Sequence, residues 1–222
     1  MLDQLRIGNK YSYDDFDASV AFRRIGEPKK KVIKETVPYS NTTYDFSAIN
    51  GEVYWDEREL EYTLEIDADT PEELEELKRA LKNWVMNVMN EDLYDPFIED
   101  YHFKATFADI SFDDSEIEKT TAIVKFTAYP YMLSNKEKSF SGSIQTSRTT
   151  SITVKNSSGH RITPTIVTTS NATFDFSGAS YSISTGEITD PAISLPVGDS
   201  VFSVKASSTS GTFTIKFREE VF

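Results

Sequence analysis

One amphipathic helix is the most constrained element of this chain. Thr70 and Glu73 have the spacing of a capping box, in which the Thr70 hydroxyl accepts from the Glu73 amide and the Glu73 carboxylate accepts from the Thr70 amide. Pro71 suits the first helical position, because the N–H it lacks would be unpaired there. The sequence therefore predicts a helix over about residues 70–90.

Behind this cap, apolar residues recur at spacings of three and four, which puts them on one face of a helix. They are Leu74, Leu77, Leu81, Trp84, Val85, Val88 and Met89. Charged residues fill most of the other positions. We expect the helix to lie with this stripe against an apolar sheet and to act as a structural brace.

Strand-like alternation flanks the helix on both sides. The apolar residues before it are Leu60, Tyr62, Leu64 and Ile66. After it, one strand face is predicted to carry Tyr101, Phe103, Ala105 and Phe107, and the returning strand to span 121–129. This is the pattern of a β-hairpin, and we expect the helix to pack on its aromatic face.

The strand before the helix alternates its apolar residues with acids. These include Glu59, Glu61 and Glu65, and Asp67 ends the strand. A pair of carboxylates can perform acid–base chemistry, but carboxylates spaced evenly along one strand are more typical of a solvated surface. Repeated by oligomerisation, such a face would line a cavity or channel.

The residues that usually carry catalysis are scarce. There are no cysteines and two histidines, His102 in a predicted strand and His160 in a predicted loop. No nucleophile-elbow, zinc-protease, phosphate-loop or dinucleotide motif occurs. Asp113, Asp114 and Glu116 lack the spacing and glycine of an EF-hand loop, which favours an acidic turn over a cation site. We expect no enzymatic activity, no cofactor and no metal.

The negative charge is unevenly distributed. Six acids and six bases lie from Ser141 onward, so the net charge of −13 belongs to the first 140 residues. Acid concentrated in this way disfavours specific nucleic-acid binding.

No secretory signal or membrane-spanning run is present, so synthesis in a cytoplasm is expected. The glycosylation triplets at Asn41, Asn156 and Asn171 are interpreted as chance matches.

Composition divides the chain in two. Residues 1–133 hold the helix and the acidic strand, residues 134–150 are rich in Ser, Thr, Lys and Gly and are predicted to be a linker, and residues 151–222 follow. The last part has short β-branched and aromatic segments separated by turn residues, which predicts an antiparallel sandwich. Within the first part, Lys29–Asn50 is polar, contains the basic run at 29–31, and is predicted to be an arm.

The order of several short motifs resembles the phage distal tail protein family of long non-contractile tails. The motifs run from Asp14-Asp15-Phe16 through Tyr44-Asp45-Phe46-Ser47 and Gly51-Glu52-Val53-Tyr54 to the helix. Leu93-Tyr94-Asp95 and Thr127-Ala128-Tyr129-Pro130-Tyr131 come after it. The later segments Val154-Lys155-Asn156-Ser157-Ser158-Gly159 and Pro164-Thr165-Ile166 resemble that family's galectin-like domain.

The resemblance implies a mainly β (α+β) protein. Its N-terminal β-barrel-like domain, with one helix and a β arm, would form a homo-hexameric ring at the end of the tail tube. A galectin-like antiparallel sandwich would project outward and dock the baseplate or receptor-binding proteins. The implied role is structural, in the tail tip of the virion of a phage or prophage, with the tail tube protein and tail-associated proteins as partners.

Charge agrees with this resemblance independently. A ring through which double-stranded DNA slides should not hold phosphate, because each Lys or Arg contact adds affinity through counterion release. Our hypothesis is that acids among Glu59, Glu61, Glu65 and Asp67 face the lumen of the ring.

A different class of function is a carbohydrate-binding cell-surface module with the C-terminal sandwich as its active part. Such a site needs exposed aromatic rings for stacking and convergent polar groups. Residues 141–222 contain no Trp, and Tyr181 is their one Tyr. Composition therefore favours the tail-tip hypothesis.

Overall fold

The computed structural model describes residues 3–48, 51–113 and 119–222. It separates into two compact units, one comprising Met1–Met132 with Phe222 and the other Leu133–Val221. Both are built from antiparallel strands, and the predicted mainly β class with little helix is confirmed. The predicted turn at 113–116 lies, beyond Asp113, outside the described residues.

Unit 1 contains two helices and nine described strands. In chain order they are β1 Arg6–Ile7, β2 Lys10–Tyr11, α1 Ser12–Phe16, β3 Ala18–Ile25, β4 Lys34–Thr36, β5 Thr43–Asp45, β6 Arg58–Asp67, α2 Pro71–Met86, β7 Glu91–Tyr94, β8 Tyr101–Asp113 and β9 Lys119–Ala128. Seven of these strands form one antiparallel sheet in the order β3-β6-β9-β8-β7-β1-β2. The Val20 amide donates to the Asp3 carbonyl at 2.8 Å, which links the start of the chain to the β3 end of the sheet.

Helix α2 begins as its cap predicts, with one difference. The Glu73 amide donates to Thr70 Oγ1 at 3.2 Å, but the Glu73 carboxylate accepts from the Asp69 amide at 3.1 Å instead of the Thr70 amide. The helix ends at Met86, before the predicted residue 90. Met89 therefore falls beyond the helix and is exposed, although the spacing had placed it on the apolar stripe.

The rest of the stripe lies against the sheet. Leu74, Leu81, Val85 and Val88 are buried, and Leu77 and Trp84 pack partly buried against the same core. The Trp84 ring stacks on Phe16 of α1, with centroids 4.9 Å apart. The inward side chains of β6 and of β9 complete this core and are Leu60, Tyr62, Leu64, Ile66, Ala122, Val124, Phe126 and Ala128.

One strand face differs from the expected alternation. A β-bulge between Ala105 and Phe107 inserts a residue into β8 opposite β9. Because side chains alternate with a period of two, the extra residue sends Phe107 to the face opposite Phe103. Phe103 is fully buried, whereas Phe107 is 64% exposed, so the predicted aromatic face loses this ring.

The predicted arm is a two-stranded ribbon. β4 and β5 pair from Lys34↔Asp45 to Thr36↔Thr43, and Lys31 and Asp56 extend the ribbon through backbone bonds of 2.8 Å to Tyr54 and Lys29. Every residue from 29 to 46 is exposed. Residues 49 and 50, at the end of the predicted arm, lie outside the described residues.

Unit 2 is a sandwich of two four-stranded sheets. Its strands are β10 Met132–Ile144, β11 Thr150–Asn156, β12 Thr165–Thr168, β13 Ala172–Phe176, β14 Ala179–Ile183, β15 Gly186–Thr189, β16 Gly198–Ala206 and β17 Gly211–Val221. One sheet has the order β15-β12-β17-β10 and the other β11-β16-β13-β14. Phe213 and Phe174 meet edge to face across the shared core, with centroids 5.5 Å apart.

The segment 134–150, expected to be a linker, differs from that expectation. Strand β10 occupies it as far as Ile144. Only Phe140 and Ile144 on this stretch pack into the core, which is too few apolar residues to give a visible alternation. Asn156, the middle glycosylation triplet, is buried with its side-chain amide donating to three backbone carbonyls, so this triplet is structural.

Candidate functional site

The outward face of strands β3, β6, β9 and β8, here called the acidic face, is the most distinctive surface of unit 1. One cross-strand row reads Arg24, Glu61, Lys125 and Asp109, with alternating charge. The next row toward one end reads Glu59, Thr127 and Phe107. Three further rows lie toward the other end of the sheet. The first contains Phe22, Thr63, Ile123 and Ser111, and the second contains Ser19, Glu65, Thr121 and Asp113. The last contains Asp67 and Lys119.

The four predicted acids all point to this face, opposite the buried side chains of β6. Two of them have lysine partners on β9: Lys125 Nζ lies 3.5 Å from Glu61 Oε2, and Lys119 Nζ lies 2.9 Å from Asp67 Oδ1. The described rows named above carry six acids and three bases. The face is therefore acidic but contains paired charges, which the sequence of β6 alone does not show.

Two phenyl rings project from this face into solvent. Phe107 follows the bulge in β8, and Phe22, 55% exposed, follows a second bulge between Val20 and Phe22 in β3. Each bulge shifts the alternation by one residue and so turns an aromatic side chain away from the core. Sequence reasoning missed both rings, because a bulge leaves no reliable signal in residue type.

A groove of about 550 Å³ opens on the acidic face beside Phe107. Its acids are Glu27, Asp56, Glu57, Glu59, Glu61 and Asp109. Its bases are Arg24, Lys29 and Lys125. Gly26 lies in the wall, where its amide donates to the Glu59 carbonyl at 2.8 Å, and a Cβ there would come within 2.5 Å of that oxygen. A side chain at position 26 is thus incompatible with this wall.

Arg58 lies behind the groove, on the inward side of β6. It is buried, its guanidinium carbon is 5.7 Å from the Phe103 ring centroid, and its Nε and Nη2 have no hydrogen-bond partner. Burial lowers the pKa of Arg58, and the charge of Glu27 on the groove side opposes that shift. The charge of Glu27 therefore partly offsets the cost of burying this cation.

The two histidines occupy structural positions. His102 is buried and stacks on Tyr94, with centroids 4.9 Å apart, and Arg6 lies 3.7 Å from the Tyr94 centroid on that ring. His160 Nε2 lies 2.8 Å from Glu220 Oε2. Neither contact brings a histidine to a serine or threonine nucleophile.

Other kinds of site receive little support within residues 3–48, 51–113 and 119–222. No group of three or more His, Asp or Glu side chains in these ranges is placed to hold a metal ion. No helix in the described part of the chain is long and apolar enough to cross a membrane.

The surface of unit 2, which is described throughout, offers little for sugar stacking. Its exposed large apolar side chains are Ile188, Val197 and Val201. Tyr181 is partly buried, and its hydroxyl donates to the Ala192 carbonyl at 3.1 Å. Unit 2 therefore presents no exposed aromatic ring.

Comparison with known proteins gives matches in structure alone. No family model matches the sequence, and no curated protein matches it. Among solved structures, the SPP1 Dit protein, described as a paradigm of the hub adsorption apparatus in phages that infect Gram-positive bacteria, aligns at a TM-score of 0.65. The sequences are 14% identical, and the alignment covers 98% of this chain and 99% of that one. The chain has the fold of that hub protein.

Chains of the phage P2 baseplate in its activated conformation, with Ca and with Sr, also align. Both have a TM-score of 0.41 and 10% identity, covering 97% and 98% of this chain. This similarity is too weak to carry an argument. The predicted resemblance to distal tail proteins is confirmed at the level of the fold by the SPP1 protein.

Proposed function

We propose that this chain is a structural, non-enzymatic subunit of the tail tip of a bacteriophage or prophage. It assembles as a hexameric ring that joins the tail tube to the baseplate or receptor-binding proteins and leaves a passage for DNA. It is made in the bacterial host cytoplasm and resides in the virion. The observation that carries the proposal is the shared fold with a hub protein over nearly the full length of both chains.

The ribbon supports assembly into a larger structure. A lone two-stranded hairpin is marginally stable in water, and this one exposes apolar side chains that nothing in unit 1 covers. They are Val32, Ile33, Val37, Tyr39, Tyr44 and Phe46. A neighbouring subunit that covered them would stabilise the ribbon and would itself be held by it.

The edge of the sheet supports the same conclusion. Strand β3 has eight residues and pairs with β6 alone among the described strands, and on its other edge the Val20 amide donates to the Asp3 carbonyl, which leaves the rest of that edge without a strand partner. Unpaired strand edges favour association with another chain. A ring would satisfy this edge, and the acidic face would then be available to line its passage.

The test is the oligomeric state of the full chain. Mass by light scattering, together with negative-stain images, should give six copies in a ring. Replacing exposed ribbon residues, as in a Val32→Ser and Phe46→Ser double variant, should release monomers without lowering the melting temperature of the monomer. Val201→Ser, a change of an apolar residue that is 55% exposed on unit 2, serves as the control and should leave the ring intact. Monomers at all concentrations for the unaltered chain would refute a self-assembling ring.

A further inference from the structure

We infer that the groove on the acidic face binds a basic polypeptide segment that carries apolar side chains, and that DNA is not its ligand. The inference rests on the proposed function only for where the groove lies, since in a ring it would open on the passage. Its chemistry is argued from the groove itself.

The charges that line the groove determine that its ligand is positively charged. The groove has six acids and three bases within a chain of net charge −13. Glu57 accepts from the Thr106 hydroxyl at 2.9 Å, and Glu61 Oε2 lies 3.5 Å from Lys125 Nζ. Both carboxylates therefore already have a partner within the protein. Among the residues that the structure describes, Glu59 and Asp109 have no lysine or arginine within ion-pair distance, although Asp109 accepts from the Ile110 amide at 2.9 Å, so both carboxylates are available to a cationic ligand.

The exposed ring determines that the ligand has apolar parts. Phe107 stands in the wall of the groove at 64% exposure, and it is there because a bulge redirects it. Without the bulge, the alternation from Phe103 and Ala105 would have buried this ring. An exposed phenyl ring beside carboxylates binds aliphatic side chains by burial, and lysine or arginine by contact of the cation with the ring face.

These two features favour a polypeptide as the ligand over double-stranded DNA and over a polyamine. Double-stranded DNA is repelled by the acids and has no use for a phenyl ring on a sheet face. A polyamine would satisfy the carboxylates but would bury less apolar surface against Phe107 than Leu, Ile or Val would. A segment that alternates Lys or Arg with Leu, Ile or Val satisfies both, and 550 Å³ is room for a few such side chains.

The experiment measures binding of three labelled twelve-residue peptides to the full chain by fluorescence anisotropy. One alternates Lys with Leu, one alternates Lys with Ser, and one alternates Glu with Leu. We expect the Lys/Leu peptide to bind, the Lys/Ser peptide to bind about tenfold more weakly, and the Glu/Leu peptide and a DNA duplex not to bind.

Variants locate the site. Phe107→Ser should weaken Lys/Leu binding about tenfold and Lys/Ser binding less, because the Lys/Ser peptide loses only the contact of lysine with the ring. Glu59→Gln with Asp109→Asn should weaken both. The matched control is Glu72→Gln with Glu76→Gln on the exposed face of α2, which removes the same charge elsewhere and should change affinity less than twofold.

Four results would overturn the inference. If the α2 control variant lost as much peptide affinity as the groove variant, the binding would be diffuse electrostatic attraction. Equal binding of the two lysine peptides, insensitive to Phe107→Ser, would mean a site for cations alone. A change of oligomeric state in the groove variants would assign this face to contact between copies. A ring that forms normally but does not bind the peptide would reject this inference and leave the proposed function standing.

Discussion

The Arg23 guanidinium donates from Nη1 to both carboxylate oxygens of Asp95, at 3.1 and 3.2 Å, across a sequence separation of 72 residues. The Asp95 side chain is almost fully buried and also accepts from the Tyr62 hydroxyl at 3.1 Å and from the Phe97 amide at 2.9 Å. This carboxylate therefore joins the edge strand β3, its neighbour β6 and the loop after β7.

Asp95→Ala should destabilise unit 1 by about 2 kcal/mol or more, because it leaves the buried Tyr62 hydroxyl and the partly buried Arg23 cation without their acceptor. Urea unfolding followed by tryptophan fluorescence measures the loss. The control is Asp67→Ala, which removes an exposed partner of Lys119 and should cost less than about 1 kcal/mol. Equal costs would show that burial of Asp95 adds nothing.

Tyr62 gives this network a pH dependence. Burial, followed by the charge and hydrogen bond of Asp95, raises the pKa of Tyr62 well above its ordinary value of 10.0. The folded state thus prefers the protonated phenol. Its contribution to stability is complete below about pH 10, the pKa of the unfolded phenol, and is lost as the pH rises from there toward the higher folded value.

Tyr62→Phe should therefore be less stable than the unaltered chain at pH 8, by about 1 kcal/mol for the lost hydrogen bond. The gap should narrow or reverse by pH 11, since phenylalanine has no proton to lose. Unfolding free energies at a series of pH values in this range provide the measurement. A gap that stays constant would mean that the Tyr62 pKa is the same in both states.

Helix α2 should be needed for the stability of unit 1. Leu81 is fully buried beneath it, so Leu81→Ala should cost about 3 kcal/mol through lost burial and the remaining cavity. Trp84→Ala should cost a similar amount by removing the stack on Phe16, and both variants should assemble poorly. Lys82→Ala, on the exposed side of the helix, is the control. Normal melting temperatures and normal assembly of the first two variants would show that helix α2 does not stabilise unit 1 as predicted.

The orientation of the acidic face in an assembled ring is testable by charge reversal. If Glu59 and Glu65 line the passage, Glu59→Lys with Glu65→Lys should give rings that retain linear duplex DNA, with an affinity that falls steeply with salt. Glu72→Lys with Glu76→Lys adds the same charge on α2 and should retain far less. Equal retention by the two ring variants would mean that β6 does not face the passage.

Local signals explain which parts of the fold were predictable. The cap and stripe of α2 and the alternation of β6 depend on neighbours within about four residues, and the structure has both elements. The bulges before Phe22 and Phe107 depend on how two strands align, so regular alternation put Phe107 on the wrong face. Arg23 and Asp95 meet only after β3 and the loop after β7 are assembled, and nothing near either residue indicates the other.

The negative charge of the acidic face was predictable from the sequence, but its ion pairs with lysine were not. The alternation of Glu59, Glu61 and Glu65 with buried residues indicates a solvated strand face. That Lys125 and Lys119 lie opposite two of the acids is a matter of register between β6 and β9, which is fixed by the whole sheet. Strand β10 was missed because it contributes only two apolar side chains to the core.

The bulge before Phe107 means that chain length, and not residue identity alone, decides what β8 shows to solvent. Deleting Thr106, the residue that the bulge accommodates, would let the regular alternation continue across the strand. Phe107 would then follow Ala105 directly and still point outward, so every residue from 107 to 113 would keep its present side. Losing the codon of a regularly paired residue such as Ala108 would instead reverse the sides of every later residue in β8, driving Asp109 and Asp113 inward and Ile110 outward, and should be far more damaging than losing Thr106.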